Sequence, residues 1–305
     1  MALKAGVIGV GYLGRHHARI YSDLEEAELV GVADLDTERA GEIAAKYDCP
    51  RFADYRELIG KADVLSIVTP TTTHYAIAVD CLKAGKDILI EKPITDNVRE
   101  ADALIRLAKK KGCIIQVGHL ERYNPAVLAA AGMIHEPVFI ESERLSPFQG
   151  RGTDVDVTLD LMIHDIDIIL SIVSSPVRHI RAVGAKILTD NIDVAKAWLE
   201  FGNGCAALAT VSRLSPEKLR RLKVIQRDCH ISIDYQESEV KCHFRNEKGV
   251  FSEVRRPEKK EPLREEIRDF LCCVKERGRP KVSAVEARNA LKVVIQISEK
   301  IRMQG

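Results

Sequence analysis

The sequence predicts an α/β protein in two parts: a doubly wound parallel sheet, then a second α/β domain with an open, mainly antiparallel sheet. Three observations predict it. Up to about residue 118, short apolar runs alternate with helix-compatible stretches, the rhythm of parallel strands joined by crossover helices. A glycine-rich turn, Gly9-Val10-Gly11-Tyr12-Leu13-Gly14, follows the first apolar run directly. Beyond Pro176 the pattern changes to short alternating segments with hairpin signals. The domains are expected at 1–121 and 122–305, with a last helix over 284–302 that can pack back on the first.

In the first domain, Ala5 to Val10 reads as a buried strand and His16 to Tyr21 as helix; Leu29 to Ala33 is a second strand, ending at Asp34, twenty residues after Gly14. This strand–turn–helix–strand–acid order is that of a dinucleotide-binding unit. Gly9 permits the tight turn, Gly11 lets the backbone approach a pyrophosphate, and Gly14 lets the helix sit close on the strand. The helix N-terminus offers unpaired N–H groups and a positive dipole end to the phosphates. Asp34 is suited to accept from ribose hydroxyls and to repel a 2′-phosphate, which favours NAD; Arg15 and Arg39 leave NADP open.

Helix is expected from Thr37 to Tyr47, a short strand at Arg51-Phe52, a short helix from Tyr55 to Ile59, and a strand from Val64 to Val68. A helix from His74 to Ala84 is closed by Gly85, and Asp87 to Ile90 is the next strand. Asn97 caps a helix that runs to Lys111, Gly112 stops it, and Cys113 to Val117 is a further strand. In doubly wound sheets the ligand sits beyond the carboxyl ends of the strands. Those ends here carry Thr69-Pro70 with His74, Glu91-Lys92-Pro93 and Gly118-His119. With Tyr12 and Leu13 of the turn, Thr69, Pro70, His74, Glu91, Lys92 and His119 are therefore the cofactor-binding candidates beside the three glycines and Asp34.

In the second domain, helix is expected over Pro125 to Met133, strand over Phe139 to Arg144, and a loop over Pro147 to Thr153. Asp156 to Val173 reads as a long helix with Leu159, Met162, Ile163, Ile166, Ile169 and Leu170 on its apolar side. Strands follow over His179 to Leu188, Val194 to Glu200 and Cys205 to Ser212, the last two flanking the turn Phe201-Gly202-Asn203-Gly204. Leu222 to Ile225, Cys229 to Tyr235 and Glu239 to Phe244 continue the sheet, Phe251 to Pro262 reads as charged and solvated, and helices over Leu263 to Arg277 and Ala284 to Arg302 finish the chain.

Forty-six basic and 45 acidic residues give a net charge of +1, which speaks against a nucleic-acid or membrane-surface partner. No apolar run reaches spanning length, and Met1-Ala2-Leu3-Lys4 leads straight into a core strand, leaving no room for a signal peptide; a cytoplasmic protein is expected. The eight cysteines form no C-x-x-C pair and read as reduced thiols. No metal site is expected: the adjacent Cys242 and His243 fall on opposite faces of a strand.

Three residues stand out for catalysis. Lys92, at a strand end before a proline, can stabilise a substrate oxygen as charge develops there. Asp160 and His164 are four apart and share a helix face, with Asp167 three further on. A histidine takes a hydroxyl proton while hydride leaves the carbon, and a carboxylate orients it or binds substrate. Lys92 and His164 can exchange these roles. His119, Glu121, Arg122 and Asn124 cluster at the domain junction, suited equally to contacting nicotinamide or substrate and to forming a hinge. Trp198 reads as core or interface, and Arg144, Arg151 and Arg213 as arginines for a diphosphate or ordinary surface residues.

The turn Gly9-Val-Gly-Tyr-Leu-Gly14, Thr69-Pro70 with His74, Glu91-Lys92-Pro93, Gly118-His119 and Asp160-x-x-x-His164 occur in one order along the chain. In these motifs it resembles the glucose–fructose oxidoreductase, inositol dehydrogenase and rhizopine-catabolism (Gfo/Idh/MocA) family of NAD(P)-dependent sugar oxidoreductases. The resemblance implies an N-terminal Rossmann domain, and a C-terminal α/β domain whose open sheet makes a homodimer or homotetramer. It also implies that Lys92, Asp160 and His164 face the nicotinamide and the substrate carbinol. The octapeptide Gly118-His119-Leu120-Glu121-Arg122-Tyr123-Asn124-Pro125 looks like that of nucleotide-sugar 3-dehydrogenases. It implies oxidation of the 3-hydroxyl of a UDP-N-acetylhexosamine. The alternatives are an inositol or simple-sugar dehydrogenase of the same family, a dehydrogenase of an unrelated small substrate, or a non-catalytic dinucleotide sensor.

Overall fold

The computed structural model describes residues 2–148, 150 and 155–303. The chain divides into two compact units, one of residues 1–120 with 261–288, the other of residues 121–260 with 289–305.

The first unit is built on six parallel strands: β1 (Leu3–Ile8), β2 (Ala27–Ala33), β3 (Arg51–Phe52), β4 (Val64–Ile67), β5 (Asp87–Glu91) and β6 (Ile115–Gly118), in the order β3-β2-β1-β4-β5-β6. That is the strand order of doubly wound dinucleotide-binding domains. The central strands are apolar on both faces because helices cover both; every residue of β4 and β5 is buried. The connections are α1 (Gly14–Asp23), α2 (Thr37–Lys46), α3 (Tyr55–Ile59), α4 (Thr71–Lys83) and α5 (Val98–Lys111). Asp36, Asp54 and Asn97 cap α2, α3 and α5 by accepting from backbone N–H groups, and Gly112 ends α5 in the left-handed conformation. Helix α4 starts at Thr71, three residues before the predicted His74, because Pro70 supplies a preset φ of −57° at its N-cap.

The second unit carries α6 (Pro125–Ala131), α7 (Ile163–Ile172) and an eight-stranded sheet. Its strands are β7 (Phe139–Leu145), β8 (Val177–Ala185), β9 (Val194–Phe201), β10 (Ala206–Ser212), β11 (Leu219–Ile225), β12 (Cys229–Asp234), β13 (Glu239–Asn246) and β14 (Gly249–Arg255). The order is β14-β13-β12-β11-β7-β10-β9-β8, antiparallel except for the β7–β10 pair. One face is apolar and covered: Ile140, Leu199, Ala207, Leu222 and Ile233 are fully buried, and α7 packs over β7 and β10. Their burial contributes roughly 1.5–3 kcal/mol for each large side chain. Trp198 lies on the opposite face, against Phe139, beside a cavity that Ile180, Leu208 and Met303 also line.

Two expectations are corrected here. Residues 251–255, expected to be charged and solvated and given no strand, belong to edge strand β14; they are exposed as expected, so no apolar alternation marks the strand. The long helix begins with one π turn, Thr158–Met162, ahead of α7. Tertiary bonds fix this entry: Val157 N donates to Ile192 O (2.8 Å), and Asp156 accepts from Ile192 N (3.0 Å) and from Arg302 (2.6 Å).

Helix α8 (Pro262–Glu276) belongs to the first unit, where Ile267 and Phe270 join Val7, Ile20, Tyr21 and Leu89 in one core; α9 (Ala284–Arg302) completes the chain. Among the described residues no helix is long and apolar enough to cross a membrane.

Candidate active site

The glycine turn is shaped as its spacing predicts. Gly9 has φ +86°, and a Cβ there would collide with the Val68 carbonyl; a Cβ on Gly14 would collide with the Gly9 carbonyl. Gly11 differs, because the nearest atom to a Cβ there is Arg39 Nη1 at 3.5 Å. Its side-chain space is open at the N-terminus of α1, where unpaired backbone N–H groups and the dipole favour a pyrophosphate. The residues present therefore fit a dinucleotide. Asp34 accepts from Val10 N (2.8 Å) through Oδ2 and from Asp36 N (2.9 Å) through Oδ1, so each oxygen keeps a lone pair for a ribose hydroxyl. Arg39 is bound to Asp36 at 2.6 Å, and that hydrogen bond first, then Asp34, raises its pKa. Tyr12 is 60% exposed, with the Arg15 guanidinium 4.9 Å from its ring centroid, and Leu13 takes the N-cap position of α1.

The strand-end residues have distinct duties. His74 is buried, with both ring nitrogens 2.9 Å from main-chain carbonyls, Nδ1 facing Pro93 and Nε2 facing Thr69. It ties the end of β4 to the loop after Lys92, and burial holds its pKa below the ordinary value although both carbonyls oppose that. Thr69 accepts from Thr73 Oγ1 at 2.7 Å, which braces the Thr69-Pro70 corner. Glu91 is buried and accepts from His17 Nε2 at 3.2 Å; His17 Nδ1 is 3.1 Å from Ser66 Oγ, which is 2.8 Å from the Tyr21 hydroxyl. Burial alone would push the Glu91 carboxyl up, but the His17 hydrogen bond and charge, with Lys92, bring it net below its ordinary value. Lys92 itself is half-buried and His119 buried.

Sequence reasoning missed His17, Ser66, Tyr21 and Glu266. The one available signal is position: His17 lies three residues after Gly14, on the α1 face turned to the sheet. Glu266 on α8 is fully buried, and neither carboxylate oxygen has a hydrogen-bond partner among the described residues. Burial, then Glu91 and Asp269, push its pKa well up.

In the second unit Asp160 stands in the π turn and His164 in the first turn of α7, both half-buried. Asp167 accepts from Arg122, whose Nε and Nη2 donate to it at 2.6 and 3.3 Å. Arg144, read as a diphosphate or surface arginine, is 2% exposed and consumed internally. It donates to Asp165 at 2.8 and 3.0 Å and to Glu121 at 2.8 Å. Burial opposes its charge, but Asp165 and Glu121 more than compensate and raise its pKa. Asn124 donates to Glu121 (3.3 Å) and to Tyr235 O (3.3 Å), so Glu121 and Asn124 enter one buried polar network with Arg144 and Asp165. Arg213 donates to Val155 O at 2.8 Å, and Arg151 lies outside the described residues. Lys92 belongs to the first unit, and Asp160 and His164 to the second.

Comparison with known proteins adds the family. Residues 3–119 match the family model described as an oxidoreductase family with an NAD-binding Rossmann fold, and residues 129–231 match the Gfo/Idh/MocA C-terminal domain. The chain is 38% identical to the UDP-N-acetylglucosamine 3-dehydrogenase of Acidithiobacillus ferrooxidans, over 97% of this chain and 96% of that one. It is 30% identical to the scyllo-inositol 2-dehydrogenase (NAD(+)) of Bacillus subtilis, over 70% and 68% of the two chains. A solved structure of the Acidithiobacillus enzyme superposes with a TM-score of 0.95 at 36% identity, covering 99% of each chain. With the glycine turn, the acid after β2 and the six-stranded parallel order in place, the chain belongs to the Gfo/Idh/MocA family of NAD-dependent oxidoreductases.

Proposed function

We propose that this protein is a dehydrogenase that oxidises the 3-hydroxyl of a UDP-N-acetylhexosamine. The observation that carries the substrate is the end-to-end likeness to the UDP-N-acetylglucosamine 3-dehydrogenase of Acidithiobacillus ferrooxidans. Bound NAD supplies the hydride acceptor. Gly9, Gly11 and Gly14 admit the pyrophosphate to the N-terminus of α1, with Tyr12 and Leu13 alongside, and Asp34 accepts from the adenosine ribose. Thr69, Pro70, His74 and Glu91 hold the strand-end loops around Lys92.

His164 takes the proton of the substrate hydroxyl, Asp160 orients it or the sugar, and Lys92 stabilises the oxygen as the carbonyl forms. The reverse assignment of Lys92 and His164 differs only in which group holds the proton. The apolar outer face around Trp198 and Leu208 supports association of two or four copies through the second unit's sheet, in the cytoplasm.

The test follows absorbance of reduced nicotinamide with NAD and UDP-N-acetylglucosamine, UDP-glucose, myo-inositol and glucose in parallel. Turnover of UDP-N-acetylglucosamine is expected. Turnover of inositol or glucose alone overturns the substrate, and binding of NAD with no turnover at all returns the sensor reading. Near wild-type turnover in both His164→Asn and Lys92→Met overturns the catalytic roles.

A further inference from the structure

The sequence offers Arg144, Arg151 and Arg213 either for a diphosphate or as ordinary surface arginines. Arg144 is spent on Asp165 and Glu121, and Arg213 on the Val155 carbonyl. The register of the second sheet brings forward another residue. Arg220 on β11 lies directly opposite Arg144 on β7, and the next pairs on that face are Leu222 with Ser142 and Val224 with Ile140, all fully buried. Arg220 therefore points to the covered side of the sheet, while its neighbour Arg221 pairs with Asp234 on the other side.

Two cations directly opposite on one sheet face repel unless anions are shared between them. Here the sharing is unequal. Arg144 takes both oxygens of Asp165 and the nearer approach to Glu121, while Glu121 also accepts from Asn124. The Arg220 side chain is left at 3.7 Å from Glu121, makes no hydrogen bond among the described residues, and is 39% exposed. Burial and the charge of Arg144 hold its pKa below the usual guanidinium value, although Glu121, Asp165 and Asp160 oppose this. The presence of Asp160 in that set puts Arg220 within electrostatic reach of the proposed catalytic carboxylate.

A second observation coincides with the first. Tyr235 N donates to Arg220 O at 3.1 Å, so the two residues are cross-strand neighbours. Tyr235 is 6% exposed, and its hydroxyl has no hydrogen-bond partner among the described residues. Arg220 and Tyr235 are paired in register on the sheet face that α7 covers, and neither the Arg220 guanidinium nor the Tyr235 hydroxyl makes a hydrogen bond among the described residues. A guanidinium fork matches two phosphoryl oxygens, and an O–H donor serves a third.

We propose that Arg220, with Tyr235 paired to it across the strands, is the subsite that binds the diphosphate of a nucleoside-diphosphate sugar. This rests on the nucleotide-sugar reading above and assigns the residue that discriminates it from an uncharged polyol. Arg220 binds and positions; it takes no part in proton transfer.

The test is steady-state kinetics with NAD and UDP-N-acetylglucosamine for the wild type, R220M and R220K, together with calorimetric titration of UDP into each. In R220M, KM for the UDP-sugar is expected to rise roughly 10- to 100-fold with kcat within about threefold, and UDP affinity to fall by the same factor. R220K keeps the charge without the fork and falls in between, which carries the test if R220M does not fold; unchanged NADH binding reports the fold. An unchanged KM and unchanged UDP affinity in R220M overturn the subsite. If the wild type does not turn over UDP-N-acetylglucosamine, the substrate reading fails, and the titration still decides: UDP binding lost in R220M supports the subsite, and no UDP binding to the wild type overturns it.

Discussion

Glu91 and His17 meet at 3.2 Å in a fully buried spot, one residue before Lys92. The folded pKa of Glu91 lies below its ordinary value, so the pair contributes stability above about pH 4.5 that is lost as pH falls through the folded pKa. Glu91→Gln keeps the shape and removes the charge. It is expected to cost about 1–3 kcal/mol at pH 8, with the difference shrinking toward pH 4. Urea unfolding at the two pH values measures both; equal stability at pH 8 would show that the pair contributes nothing.

Glu266 has the opposite sign. Its folded pKa is raised, so the wild type loses stability as pH climbs above about 4.5, while a neutral amide does not. Glu266→Gln is expected to be more stable than the wild type by about 1–3 kcal/mol at pH 8, and equal to it near pH 4. A less stable variant at pH 8 would mean that the carboxylate is ionised and held by a partner.

The three glycines of the turn separate folding from binding. Gly9→Ala and Gly14→Ala push a methyl into main-chain carbonyls and are expected to lower Tm by several degrees. Gly11→Ala meets nothing closer than 3.5 Å, so Tm should hold while KM for NAD rises about tenfold or more. Loss of Tm in Gly11→Ala with an unchanged KM would remove that glycine from the cofactor site.

Cofactor preference follows from Asp34 and Arg39. Asp34 repels a 2′-phosphate and Arg39 is engaged by Asp36, so NAD is expected to be used well ahead of NADP. Asp34→Ser removes the repulsion and should move the ratio of kcat/KM values toward NADP by roughly 10- to 100-fold. An unmoved ratio would mean that another group reads the ribose.

Much of the first unit is legible in sequence because its strands are buried on both faces and read as bare apolar runs between helices. The glycine turn is legible because three backbone constraints fall on three spaced residues. Other features resist for physical reasons. Strand β14 is solvent-facing, so Glu253, Arg255 and their neighbours read as a charged, solvated stretch with no strand signal. The π turn is fixed by bonds from Val157 and Asp156 to Ile192, which is 36 residues from Asp156 and invisible to local periodicity. Arg220 and Arg221 are identical neighbours in the sequence; only strand register turns one toward the covered face and the other away. Arg144 reads as surface for the same reason, since its two carboxylate partners lie on other elements.

A Cβ on Gly118 would stand 2.9 Å from the Glu91 carboxylate. The glutamate before the lysine and the glycine before the histidine are thus one constraint written in two places on adjacent strands. Neither position can drift by itself: a larger residue at 118 evicts the carboxylate, and a shorter one at 91 leaves a hole and an unanswered imidazole. Over evolutionary time the two sites should change together or stay as they are, and a chain of this architecture that has lost one should have lost the other.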